Sequence, residues 1–369
     1  MTADRRRARL DALVAALTSE GLDGLLVTSR ANVRYLTGFS GSAGLAVVTR
    51  GDALLVTDFR YDEQARAEAG SVARVAVERT NVWERLFKEL PSLGPLEVLG
   101  YEAHVLTVRE AERLAAPEGP TRPWRWRAGS DFVERLRASK DPEEVRAIAA
   151  AAALAREAWH GALQAVRPGL TELEIAGVLE GHLRRLGSEA HPFPTIVASG
   201  PRSALPHARS SRRAVGKGEW LLFDFGAVVD GYCADITRTV VVGARASDAQ
   251  RALYELVWGA QRRAREGVRA GMSGAEADAL ARDVIDAKGF GEAFGHSTGH
   301  GLGLEVHEAP RLARTNTEPL PASAVVTIEP GVYLRGQGGV RIEDDVHLGP
   351  DGPVLLSDGL TELVDGVGG

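Results

Sequence analysis

The sequence predicts an α/β (α+β) protein built as two regions, and three observations carry that prediction. A chain of 369 residues suits two domains or one large one. Residues 1 to about 125 alternate helix-like and strand-like patterns, as a compact α/β domain does. The remainder contains an internal repeat, the mark of a duplicated half-domain. The composition, 44% hydrophobic and 25% charged, is that of a globular chain with a sizeable core.

The elements follow in order. Arg6 to Glu20 has helical spacing and stops at Gly21. Asp23–Ser29, DGLLVTS, reads as a strand, and Gly44–Asp58 as a hairpin turning at Gly51-Asp52. RYDEQARAEA and TVREAERLAA read as helices, and VARVAVE and PLEVLGYEA as strands around them. Ala116–Gly129, rich in proline and glycine, reads as a linker. Beyond it, KDPEEVRAIAAAAALAREAW carries a strong helix start. Asp141 can cap, Pro142 suits the first helical position, Glu144 completes a capping box, and the alanine run favours helix.

The repeat lies in this second region. Val166–Gly187, VRPGLTELEIAGVLEGHLRRLG, resembles Val268–Gly289, VRAGMSGAEADALARDVIDAKG, at an offset of 102 residues. Each copy has Val-Arg-x-Gly, a Thr or Ser cap, a Glu three residues later and a closing glycine. Each is followed by a strand ending in an acid and a glycine: Asp224 in WLLFDFG and Glu329 in AVVTIEPG. A second acid comes further on, Asp235 in ADITRT and Glu343 in RIEDDV.

Charge and cysteine usage narrow the function. A net charge of -6 and a pI near 5.9 argue against a nucleic-acid surface. The single cysteine, Cys233, excludes a disulfide framework and a cysteine-rich zinc site, and fits a cytoplasmic protein. On a buried strand it reads as a small hydrophobe. The Arg5–Arg7 cluster is expected to be a solvated face of an amphipathic first helix rather than part of a signal peptide. No membrane span is expected, because no stretch of about 18 apolar residues occurs.

The chemistry concentrates in acids and histidines. Asp224 and Glu329 sit in apolar runs of β-formers, where a lone carboxylate is costly unless paired or bound to a metal. Four acids at matched places in two repeats make a shared cation site the stronger reading. Two divalent ions would balance four carboxylates, with Arg341 expected on the same side of a strand as Glu343. Metals held this way lower the pKa of a bound water and polarise a carbonyl, which is hydrolytic chemistry. The stretch HSTGHGLGLEVH, His296–His307, places three of the nine histidines together. Two histidines four apart on a helix would be a zinc pair. Gly299, Gly301 and Gly303 break that helix, so the stretch is expected to be loop and strand. His182 lies on a predicted helix and reads as surface or core filler.

DFGAVVDGYCADITRT, HSTGHGLGLEVHE, IEPGVY and RIED resemble, in order, the signatures of the pita-bread-fold metallopeptidases: methionine aminopeptidases, Xaa-Pro aminopeptidases, Xaa-Pro dipeptidases (prolidases) and creatinases. NVRYLTGFSGSAG and DFRYDEQA resemble the creatinase-type N-terminal domain. The resemblance implies such a domain over residues 1–125, and over 126–369 a pita-bread catalytic domain with an internal pseudo-twofold repeat. It implies two divalent metal ions, Mn first with Co or Zn as alternatives, on Asp224, Asp235, His300, Glu329 and Glu343. It makes Glu329 also the general base and acid. His307 would contact the scissile carbonyl, His296 would mark the proline-directed branch, and His207 would lie near the substrate residues flanking the scissile bond. Arg341 joins the same catalytic set.

Within that resemblance the intact ligand set argues against a metal-free creatinase-like activity. The extra N-terminal region, His296 and Arg341 argue against a methionine aminopeptidase. The expected function is that of an Xaa-Pro aminopeptidase acting on short proline-containing peptides. A dipeptide-only Xaa-Pro dipeptidase is the alternative, and a metal-free binding protein a further one. Arg34, Arg60, Arg202 and Arg335 are candidates for the cation that would hold a dipeptide's carboxylate. A homodimer is expected, with no nucleic-acid or membrane partner.

Overall fold

The computed structural model describes residues 2–115, 124–357 and 362–369, and the chain folds as two compact units, Met1–Arg137 and Ala138–Gly369. In the first unit the order is α1 (Ala3–Ser19), β1 (Gly24–Val27), α2 (Arg30–Thr37), β2 (Gly44–Thr49), β3 (Ala53–Asp58), α3 (Asp62–Ala69), β4 (Arg74–Glu78), α4 (Val82–Glu89), β5 (Val98–Glu102), α5 (Val108–Ala115), β6 (Arg125–Gly129) and α6 (Phe132–Ala138). The strands form one mixed sheet in the order β4-β3-β2-β1-β5-β6. The hairpin β2–β3 turns at the expected Gly51-Asp52. Leu26, Val47, Leu54 and Val56 pack with Trp83 and Leu86 of α4, which the sequence reading left without an element.

Two expectations change here. The strand β6 falls inside the stretch read as a linker and pairs in parallel with β5, so it belongs to the first sheet; residues 116–123 of that stretch lie outside the described residues. The arginine cluster is not simply a solvated face. Arg6 donates to the carbonyls of Thr37 and Glu68, and Arg7 to that of Ser71, which ties α1 to the ends of α2 and α3.

The second unit runs α7 (Pro142–Leu163), α8 (Glu172–Leu186), β7 (Ile196–Ser199), β8 (Trp220–Phe225), β9 (Val228–Val229), β10 (Tyr232–Cys233), β11 (Ile236–Val241), α9 (Asp248–Gly267), α10 (Gly274–Asp286), β12 (Gly299–Gly301), β13 (Glu308–Leu312), β14 (Val325–Ile328), β15 (Gly331–Leu334), β16 (Gly338–Arg341), β17 (Asp344–Gly349) and β18 (Gly352–Leu355). The helix α7 has the expected capping box of Asp141 and Glu144. The repeat is visible as architecture. α8 starts on the Thr171–Glu174 box and α10 on the Ser273–Glu276 box. α7 and α8 bury Trp159, Leu179 and Leu183 against Phe223 and Phe225 of β8 and Val240 of β11. α9 and α10 bury Val257, Ala281 and Ile285 against Val326 and Ile328 of β14 and Val346 of β17. Both β8–β11 and β14–β17 are antiparallel pairs with helices on one face, which leaves the opposite faces for the acids. Among the described residues no helix is long and apolar enough to cross a membrane.

Candidate active site

The acids sit where strands end. Asp224 is the fifth residue of β8, opposite Thr237 of β11, and Asp235 immediately precedes β11. Glu329 follows β14 and Glu343 precedes β17. The chain breaks between β16 and β17 at Ile342-Glu343, so Arg341 and Glu343 are not neighbours on one strand as expected. They meet through Thr237 instead: Arg341 Nε donates to Thr237 Oγ1 at 3.0 Å, and that hydroxyl donates to Glu343 Oε2 at 2.6 Å.

His300 is the centre of β12, and the two glycines around it are steric requirements. A Cβ on Gly299 would stand 1.8 Å from the carbonyl oxygen of Thr327, and one on Gly301 2.2 Å from that of Ala309. Both neighbouring strands approach too closely for any side chain. His300 Nδ1 lies 3.0 Å from the carbonyl oxygen of Gly301, which can only accept. The proton therefore sits on Nδ1 and the Nε2 lone pair faces Glu329 Oε1 at 3.5 Å and Asp235 Oδ2 at 3.8 Å. Burial holds this imidazole down to about 4, so it is neutral at pH 7. Donor atoms of Asp235, His300 and Glu343 all lie within 4.8 Å of one another.

The carboxylates respond to this crowding. Burial, then repulsion from Glu343 and Asp224, pushes Asp235 well above the carboxylate range. Burial likewise raises Glu343, with Glu329 and Asp224 adding to it, and raises Glu329 to about 8. Asp224 is raised by burial while Arg341, 2.5 Å away, opposes the rise. Asp235 Oδ1 is buried with no hydrogen-bond partner among the described residues, as is Oδ1 of the adjacent Asp345. Converging carboxylates, an orphaned acceptor and a neutral imidazole lone pair form a hard donor set that fits divalent cations.

The flanking residues form a second layer. His296 donates from Nδ1 to the carbonyl of Ser297 (2.8 Å), so its Nε2 accepts from the Tyr333 hydroxyl at 2.8 Å. That hydroxyl in turn accepts from Arg341 Nη1 at 2.8 Å. Burial holds His296 down to about 4 and Tyr333 up to about 12, so the relay is a neutral imidazole and a neutral phenol under one guanidinium. His296 also packs edge-on against Phe294. The His307 ring lies 4.4 Å from that of His300, is exposed, and is lowered by partial burial and by Arg311. His207 is exposed beside Pro206, whose carbonyl accepts from Arg341.

The structure thus gathers all nine sequence-predicted residues. Tyr333, Thr237 and Thr327, whose hydroxyl lies 3.4 Å from Glu329 Oε1, were missed, because their roles depend on register between distant strands. Of the candidate carboxylate-binding cations, Arg202 is paired with Glu172 and Arg60 with Asp58, while Arg335 is exposed after β15.

Comparison with known proteins agrees with this geometry. Residues 146–350 match metallopeptidase family M24, and residues 9–139 match the creatinase/prolidase N-terminal domain. An Xaa-Pro dipeptidase of Pyrococcus furiosus is 34% identical, over 97% of this chain and 100% of its own. Among solved structures, an Xaa-Pro dipeptidase from Bacillus anthracis superposes with a TM-score of 0.92 at 38% identity, covering 98% of this chain and 99% of that one. An X-Pro aminopeptidase from Thermotoga maritima gives 0.88 at 36%, covering 96% and 99%. The family match over residues 146–350, with a matching N-terminal domain over 9–139 and a buried carboxylate-histidine centre in the second unit, places this chain in metallopeptidase family M24, with the pita-bread fold.

Proposed function

We propose that the protein is a proline-directed exopeptidase that hydrolyses the bond between an N-terminal residue and proline, with the Xaa-Pro dipeptidase reading ahead of the Xaa-Pro aminopeptidase. The observation that carries it is the convergence of Asp224, Asp235, His300, Glu329 and Glu343 on one buried site, in which Arg341 is the only cation bonded to these carboxylates among the described residues. The sequence reading put the aminopeptidase first. Full-length relatives named as dipeptidases favour the alternative, while the Thermotoga structure keeps the aminopeptidase as second reading.

In this reading the five residues hold two divalent cations, Mn(II) favoured by the hard oxygen donors and Co(II) or Zn(II) alternatives. The cations supply Lewis acidity toward the substrate carbonyl and a water made acidic near neutral pH. Glu329 takes the water's proton and returns it to the prolyl nitrogen; burial raises its carboxyl and bound cations lower it, which suits exchange in both directions. His307, neutral and exposed beside His300, donates to the oxygen that gains charge. His296, backed by Phe294 and fixed by Tyr333, walls the prolyl ring, and His207 meets the residues on either side of the bond. Arg341 orients Asp224 and Tyr333. The protein is read as a cytoplasmic homodimer acting on short peptides.

The experiment compares Ala-Pro, Ala-Pro-Ala and a Met-Ala peptide under added Mn(II). Cleavage of Ala-Pro but not the tripeptide is expected. Release of Ala from Ala-Pro-Ala would establish the aminopeptidase, and preference for Met-Ala would overturn the proline assignment.

A further inference from the structure

We infer that Arg238 is a positioning residue for the metal centre, setting from the back of the sheet the backbone that carries Glu343; the inference rests on the metal-centre reading above. Along β11, Thr237 faces the site opposite Asp224, so Arg238, opposite Phe223, faces away from it. Its side chain is 4% exposed. Nη1 donates to the carbonyl oxygens of Thr237 (2.9 Å) and Glu343 (2.5 Å), and Nη2 to Asp344 Oδ1 at 2.6 Å. One guanidinium thus grips two segments more than a hundred residues apart, each bearing a proposed ligand within three residues: Asp235 on one, Glu343 on the other.

The grip is itself braced. The Asp344 carboxylate accepts from Ser357 Oγ and from Gln261 Nε2 of α9, each at 2.7 Å, and lies 3.5 Å from Arg265. Asp344, Gln261 and Ser357 are each at most 1% exposed. The Glu343–Asp344 peptide is therefore fixed from both faces. On the site face Thr237, itself held by Arg341, donates to the Glu343 carboxylate, and on the far face Arg238 holds the Glu343 carbonyl. In the gap between β16, which ends at Arg341, and β17, which starts at Asp344, the main chain contributes the Glu343 N–H to the Thr237 carbonyl oxygen at 3.2 Å, and Arg238 adds the hold on the Glu343 carbonyl. A planar fork reaches three acceptors on two segments, whereas an ammonium is a point donor.

A cavity of about 660 Å³ opens on the far face, lined by Trp159, His160, Phe225, Ile236 and Arg238 itself. It offers a path by which a small cation can reach the position of the guanidinium. The test uses the full chain with Co(II) as probe, reading affinity by chelator competition and site geometry by the visible spectrum. Arg238→Ala is expected to lower Co(II) affinity roughly 10- to 100-fold, the usual cost of losing an outer-shell partner, and to alter the spectrum, with KM for Ala-Pro little changed. Added guanidinium, and not ammonium, should restore both. Arg238→Lys, which keeps the charge and guards against misfolding of the alanine variant, should fall between.

Co(II) affinity and spectrum unchanged in Arg238→Lys, or in folded Arg238→Ala, would overturn the inference. Asp235→Asn separates this from the underlying reading. If it too binds Co(II) as the parent does, the metal-centre reading and the inference fall together; if it alone loses metal, only the role of Arg238 is refuted.

Discussion

The histidines of HSTGHGLGLEVH divide by which nitrogen is free. His300 and His296 each donate Nδ1 to a main-chain carbonyl, but the Nε2 of His300 faces carboxylates and that of His296 faces a phenol. Identical tautomers therefore serve different purposes, set by what lies across the strand. His307 has its ring against His300 and, among the described residues, no hydrogen bond fixing it, which leaves it able to follow a substrate. His300→Ala should lose bound metal and activity together. His307→Ala should keep most of the metal and lose about 10²–10³ in kcat, the cost of removing one donor to a developing oxyanion. Metal content and kcat measured on the same preparations check both, and a fully active His307→Ala would refute its role. These residues were legible because their motifs are local. Tyr333 was not singled out although it lies in IEPGVY, since only the pairing of β15 with β16 brings its hydroxyl to Arg341.

At the scale of elements, α7, α8 and α10 were legible because a capping box closes within four residues, whereas α9, which starts on a like box of Ser247 and Gln250, was not singled out. The boxes at Thr171 and Ser273 mark the two copies of the repeat, and both form. β6 was hidden for the opposite reason: RWRAG in a proline- and glycine-rich stretch becomes a strand only by pairing with β5, a contact no local window contains. The short strand β12 combines both situations. Its glycines were legible as helix breakers, while their steric purpose needed the neighbouring strands. Gly299→Ala places a methyl against the Thr327 carbonyl, whose strand leads directly into Glu329, so the strands must part. It is expected to cost about 1–3 kcal/mol in the manner of an overpacked core and to weaken metal binding as well. Urea midpoints of the metal-free protein and Co(II) competition measure the two effects separately. An unchanged midpoint would mean that β12 and β14 are not held as tightly as described.

For the whole molecule, the duplicated half-domain sets a conflict that a bound cation would resolve. Two helix-backed antiparallel pairs bring their acids to one place, and the packing that makes the core also removes water from those acids. Without metal, carboxyls such as Glu329, near 4.5 when unfolded and about 8 when folded, favour the native state while protonated. Their contribution is present below pH 4.5 and is lost as pH rises through about 8, because the folded chain then holds protons the unfolded one has released. The metal-free protein should therefore lose stability across that window. Cations need the carboxylates ionised, so protons compete with them at the lower end. Mn(II) at a hundredfold excess over its Kd stabilises by about 2.7 kcal/mol. That corresponds to roughly 5–10 °C in Tm for a unit of this size. Thermal unfolding with and without Mn(II) should show a larger gain at pH 8 than at pH 6, with protons released on binding. An equal gain at both values would mean that the acids are not protonated in the metal-free fold, and that Arg341 and the strand-end backbone already neutralise them.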